Sequence, residues 1–202
     1  IARLAYEIER VDCGLSGGRQ DQYAATFGGF NFMEFSANDQ VIVNPLRIRR
    51  YIINELEASM LLYYTGQSRE SAKIIDDQRK TVSATNNNAL SAMHDLKSSA
   101  LRTKDRLLKG DTTGVALEVK TAWHAKKSTS SSISNQSINL LADKVLASGA
   151  TSLKISGAGG GGFMMIFIQP EKKIDVLKAL SHFPGQTHRF QFTESGSMAW
   201  KV

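Results

Sequence analysis

The sequence predicts an α+β chain with a mostly antiparallel sheet, on three observations. An early pair of strand-like runs, 26–35 and 39–46, is joined by a short polar stretch, as in a hairpin. Several helix-length segments then carry apolar residues at three- and four-residue spacing. The residues from 152 onward finally read strand, strand, helix, strand, strand, so strands cluster instead of alternating one for one with helices.

Taken in order, "IARLAYEIERV" places Ile1, Leu4, Ala5, Ile8 and Val11 on one helical face. A glycine-rich loop follows in "GLSGGRQDQYAATFGG", residues 14–29, and then the hairpin. The apolar run Met60 to Tyr64 is a third strand, stopped by Thr65 and Gly66. Thr85 and the asparagines 86–88 are capping residues for a helix that carries Leu90, Met93, Leu101 and Leu108 and stops at "KGD". Val115, Val119, Ala122 and Trp123 mark a further helix, ending before the serine-rich stretch 128–134. Ile138, Leu141, Ala142, Val145 and Leu146 mark another, closed by Gly149. "SLKIS" and the wholly apolar "GFMMIFIQP" are strands, the second patterned like a strand covered on both faces. A short helix with Ile174, Leu177 and Leu180 precedes two strand-like runs, "THRFQF" and "SMAWKV".

With 202 residues, 42% of them hydrophobic, the chain can form one large domain or two small ones, with a boundary expected near 45–60. Lys and Arg (25) outnumber Asp and Glu (19), which favours anionic partners such as phosphorylated metabolites, nucleotides or nucleic acid. Nucleic-acid surfaces usually interleave aromatic with basic residues; here the aromatics sit mainly in apolar strand-like runs. A lone cysteine, Cys13, excludes an internal disulfide and a cysteine-rich zinc site and fits a reducing, cytoplasmic setting. His94, His124, His182 and His188 have no metal-ligand spacing. No run approaches the ~20 apolar residues of a membrane-spanning helix. The opening without methionine, in a helix already under way, reads as part of a longer protein.

Two glycine loops carry the chemistry. "SGAGGGGF", 156–163, formally contains a dinucleotide-type spacing, but such a loop must open a helix so that the helix N-terminus meets the phosphates, and here a strand follows. Five glycines in the six positions 157–162 exceed what a tight turn needs. They are expected to let the backbone approach a ligand, with successive N–H groups forming an anion-binding concavity.

"GGRQDQYAATFGGFNF", "TGQSRESAKI", "KKSTSSSIS" and "KISGAGGGGF", in that order, resemble the GHMP kinases, the superfamily of galactokinase, homoserine kinase, mevalonate kinase and phosphomevalonate kinase. The wording looks most like the heptose 7-phosphate kinase branch, and the resemblance covers essentially the whole chain. It implies a remnant of an S5 domain 2-like N-terminal domain over 1–55, followed by a ferredoxin-like C-terminal domain over 56–202.

It also implies ATP-dependent phosphorylation of a sugar hydroxyl, with Mg²⁺; kinases for fucose, galactose or mevalonate and a non-catalytic nucleic-acid-binding module are the alternatives. Asp21 is then the carboxylate facing the substrate hydroxyl, accepting or orienting its proton. Arg19 is expected to ease charge at the transferring phosphoryl group or to hold Asp21 ionised, with Gly17, Gly18 and Gln20 on the substrate side. "ERVDCG" resembles the stretch whose glutamate binds Mg²⁺, which gives that role to Glu9. Gly157, Ala158, Gly159, Gly160, Gly161 and Gly162 match the motif beside the nucleotide phosphates. Lys126 and Lys127, with Arg69 as rival, are expected to hold the substrate's own phosphate. The family's phosphate-cradling loop lies upstream of this motif order and does not occur in the sequence. The implied partners are a sugar phosphate and ATP, with a homodimer left open and no membrane.

Overall fold

The structure is a computed structural model that describes residues 1–67, 71–83 and 87–200. Eight α-helices and six strands occur among these residues. They are α1 (Ala2–Tyr6), α2 (Gln20–Phe27), β1 (Asn31–Phe35), β2 (Val41–Pro45), α3 (Arg50–Ala58), β3 (Met60–Tyr64), α4 (Ser71–Ser83), α5 (Asn87–Lys109), α6 (Thr112–Thr129), α7 (Gln136–Ala147), β4 (Ala150–Ile155), β5 (Phe163–Ile168), α8 (Lys173–Leu180) and β6 (Gln186–His188). A π-helical turn, Glu7–Asp12, continues α1.

β1 and β2 form an isolated antiparallel hairpin with Asn31 opposite Pro45 and Phe35 opposite Val41. Its turn places Asn38 and Asp39 at φ 59° and 61°, a region that these two residue types enter at low cost. The other strands form a four-stranded sheet in the order β4-β5-β3-β6, antiparallel throughout. With helices between β3 and β4 and α8 between β5 and β6, this is the split β-α-β arrangement, so the expected α+β, ferredoxin-like architecture is observed.

The sheet separates two cores. One face packs Leu61, Tyr63, Leu153, Ile155, Met164 and Ile166 against α7 and α8. On the other, Met60 and Phe167 meet Ile52 and Leu56 of α3, Leu107 of α5, and Val115 and Ala116 of α6. Phe30 and Leu46, which flank the hairpin, pack against this second core, as do Phe190 and Phe192 of the C-terminal segment.

Several sequence expectations need correction. Thr26 and Phe27 are the end of α2 and residues 28–30 form a bend, so strand 26–35 shortens to Asn31–Phe35. α3 was not foreseen, although Ile52, Ile53 and Leu56 are buried at helical spacing. On α5 the expected inward residues Leu90, Met93, Leu101 and Leu108 are exposed, and Ala89, Ala92, Ser99 and Leu107 are buried instead. The cause is the buried carboxylate of Glu118 on α6, which accepts hydrogen bonds from Ser99, Arg102 and Arg106 and so turns the polar and small face of α5 inward. Burial opposes its charge, but the bonds from Arg102 and Ser99 win and hold Glu118 below the usual carboxylate range.

On the first helix Ile1, Leu4, Ile8 and Val11 share a face as expected, and that face is exposed. "SMAWKV" is not a strand over its described residues 197–200, and "THRFQF" pairs only through Thr187 and His188. The segment docks through single bonds: Phe192 N–H to Glu57 (2.9 Å), Gly29 N–H to the Thr193 carbonyl (2.9 Å) and Ser197 N–H to the Ala25 carbonyl (3.1 Å). The capping residues Thr85 and Asn86 lie outside the described residues.

Candidate active site

α2 begins directly after the first glycine loop, which places Asp21 in its first turn, exposed to solvent. Among the described residues its carboxylate accepts no hydrogen bond and forms no ion pair. The cation in its field is Lys126, in the last turn of α6, whose charge Asp21 supports. Lys126 Nζ in turn donates to the Gly157 carbonyl of the second glycine loop. The two glycine loops, 136 residues apart from Asp21 to Gly157 in the sequence (157 less 21), therefore share one corner of the molecule.

α4 builds that corner, and nothing in the sequence singled it out for this. Asp76 accepts from the Ser16 hydroxyl (2.6 Å) and Arg79 donates to the Gly17 carbonyl (3.1 Å), pinning the first loop. Asp77 accepts from Ser132 (2.7 Å) and Gln78 donates to Thr129 (2.7 Å), pinning the turn after α6. Four consecutive polar residues on one helix thus hold Asp21 and Lys126 in a common frame.

The second loop turns out to have two kinds of glycine. A Cβ on Gly159 (φ 115°) would lie 2.7 Å from the Ile133 carbonyl, and one on Gly161 (φ 154°) 2.6 Å from the Gln67 carbonyl. Gly160 and Gly162 donate their N–H groups to those same two carbonyls, at 2.8 and 2.7 Å. These glycines therefore serve close contact with the protein, and two of the N–H groups expected to form an anion cradle point inward. Gly157 (φ 71°) and Gly162 (φ 84°) have nothing within 4 Å of a notional Cβ. They border a cavity of about 280 Å³ lined also by Ser71, Ser156, Ala158 and Phe163. A larger concavity, about 800 Å³, opens near Met60, Lys173 and Arg189, where no sequence motif falls.

The remaining expected site residues divide. Gly18 and Gln20 are exposed beside Asp21, whereas Gly17 is buried against the Arg10 guanidinium. Arg19 turns away from the site: its guanidinium pairs with Asp39 of the hairpin turn and lies 4.7 Å from the Tyr6 ring centroid. In this geometry Arg19 ties the loop to the hairpin. Lys127 faces outward over Trp123, 5.9 Å from the ring centroid. The serine hydroxyls that follow it are used internally: Ser128 donates to the His124 carbonyl and Ser132 to Asp77. Arg69 lies outside the described residues.

Glu9 accepts from the Gln22 amide (2.6 Å) and pairs with Arg10 (3.1 Å). Gln22 itself is buried, and its Oε1 has no partner among the described residues. An orphaned acceptor oxygen beside a carboxylate is the donor chemistry of a hard divalent cation, so these residues fit Mg²⁺. Described His, Cys, Asp and Glu residues form no cluster of three or more that could hold a metal by themselves.

The split β-α-β sheet thus carries a glycine loop at one end, bonded to a lysine whose charge is supported by a free carboxylate from another part of the chain. No family model matches the sequence. The chain is 46% identical over all 202 residues to the D-glycero-alpha-D-manno-heptose 7-phosphate kinase of Campylobacter jejuni, of which it spans 59%. It is 27% identical over 182 residues to the bifunctional fucokinase/GDP-fucose pyrophosphorylase of Arabidopsis thaliana, spanning 17% of that protein. The crystal structure of a D-glycero-D-manno-heptose 1-phosphate kinase from Bacteroides thetaiotaomicron superposes with a TM-score of 0.76 and 42% identity, covering 100% of this chain and 54% of that one. Mevalonate kinase from Leishmania major, at 18% identity, matches in fold with a TM-score of 0.68 over 93% of this chain and 56% of its own.

The fold is accordingly that of the GHMP kinases. Over its whole length the chain is similar to the heptose phosphate kinases, and it spans between half and two thirds of their length.

Proposed function

We propose that these residues belong to an ATP-dependent sugar kinase that phosphorylates the anomeric hydroxyl of D-glycero-D-manno-heptose 7-phosphate, giving the 1,7-bisphosphate. In this reading 1–55 belong to the enzyme's N-terminal domain and 56–202 form its C-terminal domain. The observation that carries it is Asp21: an exposed, unpaired carboxylate at a helix start, coupled through Lys126 to a glycine loop that faces open space. Phosphoryl transfer asks mainly for positioning and charge stabilisation, and this pair supplies both. Asp21 takes or orients the proton of the acceptor hydroxyl. Lys126, whose charge Asp21 supports and whose ammonium is bonded to the Gly157 carbonyl, we assign to the transferring group in place of the sugar's own phosphate. Mg²⁺, when bound by Glu9 with Gln22 beside it, would neutralise charge on the nucleotide phosphates. An ATP-using enzyme with one exposed free cysteine fits the cytoplasm, and no helix among the described residues is long and apolar enough to cross a membrane.

The test is ADP release by the protein containing these residues, across a panel of heptose 7-phosphate, heptose 1-phosphate, fucose, galactose and mevalonate. Preference for the 7-phosphate is expected. The two heptose kinases above are named for different phosphate positions, so preference for the 1-phosphate would reject the assigned acceptor while keeping the class.

Lys126 adds a pH dependence of known sign. Burial, then the nearby charge of Lys154, push its ammonium down to about 8, with Asp21 opposing. The charged form exists below that pH, so kcat/KM is expected to fall as pH rises through about 8. Lys126→Arg should move this limb beyond the alkaline end of the profile. Stability changes in the other direction. Between about 8 and the ordinary 10.5 the unfolded chain still holds the proton that the folded chain has released, so this group stabilises the fold as pH rises. A thermal midpoint that fell together with kcat/KM across that window would show that the limb is unfolding.

A further inference from the structure

Lys154 takes part in none of the roles above. It lies on edge strand β4 opposite Met165, two residues before Ser156 and the second glycine loop. Its strand neighbours Leu153 and Ile155 enter the main core. Lys154 itself is half-buried on the other face, where the next inward residue, Ser152, is fully buried with a hydroxyl that has no partner among the described residues. An apolar side chain would satisfy this position, as Met165 does across the ladder. An ammonium there loses hydration and gains nothing from the protein, because among the described residues neither Lys154 nor Lys126 forms an ion pair.

The charge of Lys154 also acts on Lys126, adding repulsion to the desolvation there. Burial alone holds Lys154 below the ordinary lysine range. Lys126 is anchored to the Gly157 carbonyl, and Lys154 shares its face of the strand leading into Gly157 with Ser156, which lines the cavity. Asp21 supports the charge of Lys126 and Lys154 opposes it, while Asp76 and Asp77 of α4 are bonded to serine hydroxyls. Replacing a desolvated, unpaired charge by an apolar group usually stabilises a fold. Its presence is therefore best accounted for by an anion that arrives from outside.

We propose that Lys154 is a second phosphate-binding lysine of this site, holding with Lys126 the oxygens of the phosphoryl group presented at Gly157. The assignment rests on the kinase reading for which phosphate is bound. The anion site itself does not depend on turnover.

The probe is inorganic tripolyphosphate, titrated at pH 6.5 into the chain labelled with ¹⁵N at lysine, with side-chain ammonium signals read by NMR. Signals of Lys126 and Lys154 are expected to move together with one dissociation constant. Lys154→Met should weaken binding at least tenfold, and Lys154→Arg, which keeps the charge, should restore it to within about threefold. Without anion, Lys154→Met should raise the thermal midpoint by about 3 °C. A lysine kept for packing would move both quantities differently, with a lowered midpoint and unchanged binding, and that result overturns the proposal. So does a titration in which only surface lysines respond. If the protein binds tripolyphosphate through both lysines yet transfers no phosphate to any sugar tested, the kinase reading falls and the anion site stands.

Discussion

Asp21→Asn is expected to lower kcat by about 10²- to 10⁴-fold, the range associated with loss of a general base, while leaving the fold and nucleotide affinity in place. The separation is sharp because the carboxylate has almost no structural duty. It is exposed, accepts no hydrogen bond among the described residues, and stands in the first turn of α2. There its charge gains at most about 1 kcal/mol from the helix dipole, a difference that a thermal melt would register as a small shift. Asn keeps the shape and loses the basicity. Steady-state kinetics with a folded control decide the matter: kcat near that of the unaltered enzyme would remove Asp21 from the chemistry and with it the main support for the kinase reading.

Gly159→Ala is expected to cost the most stability of any single change near the site. Its φ of 115° is a conformation that an alanine adopts only with strain, worth about 1–3 kcal/mol. The new methyl would also lie 2.7 Å from the carbonyl of Ile133, a residue with no exposed surface and hence no room to retreat. Moving Ile133 would break the 2.8 Å bond from Gly160 N–H. A loss above about 3 kcal/mol in chemical denaturation follows, with activity lost alongside. Gly157→Ala provides the contrast. Its φ of 71° carries a penalty of about 1–2 kcal/mol, but its methyl projects into open space beside the cavity. That variant should fold and yet bind nucleotide poorly. If both variants lose stability equally, the division of the loop into protein-facing and ligand-facing glycines is wrong.

That division also shows the limit of reading this loop from sequence. Five glycines in six positions announce an abnormal backbone, and the strand on either side places it at a sheet end. Which glycine meets a protein carbonyl and which meets a cavity depends on Ile133 and Gln67, far away in the chain. The same holds for α5, where the leucine spacing was clear but the choice of face belonged to Glu118 on α6. Lys154 reads as the solvent side of an alternating strand until β4 is placed at the sheet edge beside α6. α3 could have been found from Ile52, Ile53 and Leu56.

Backbone chemistry and hydrophobic period are local, and they were enough to determine the α+β class, strands such as Met60–Tyr64, and the two glycine loops with an aspartate after the first. The tertiary structure alone decided that Arg19 serves the hairpin, that α4 clamps the site, and that Asp21 and Lys154 both act on the charge of Lys126. The reason is physical. Desolvation, ion pairing and close backbone approach are properties of neighbours in space, and the bonds from α4 that build this corner join residues 51 to 62 positions apart.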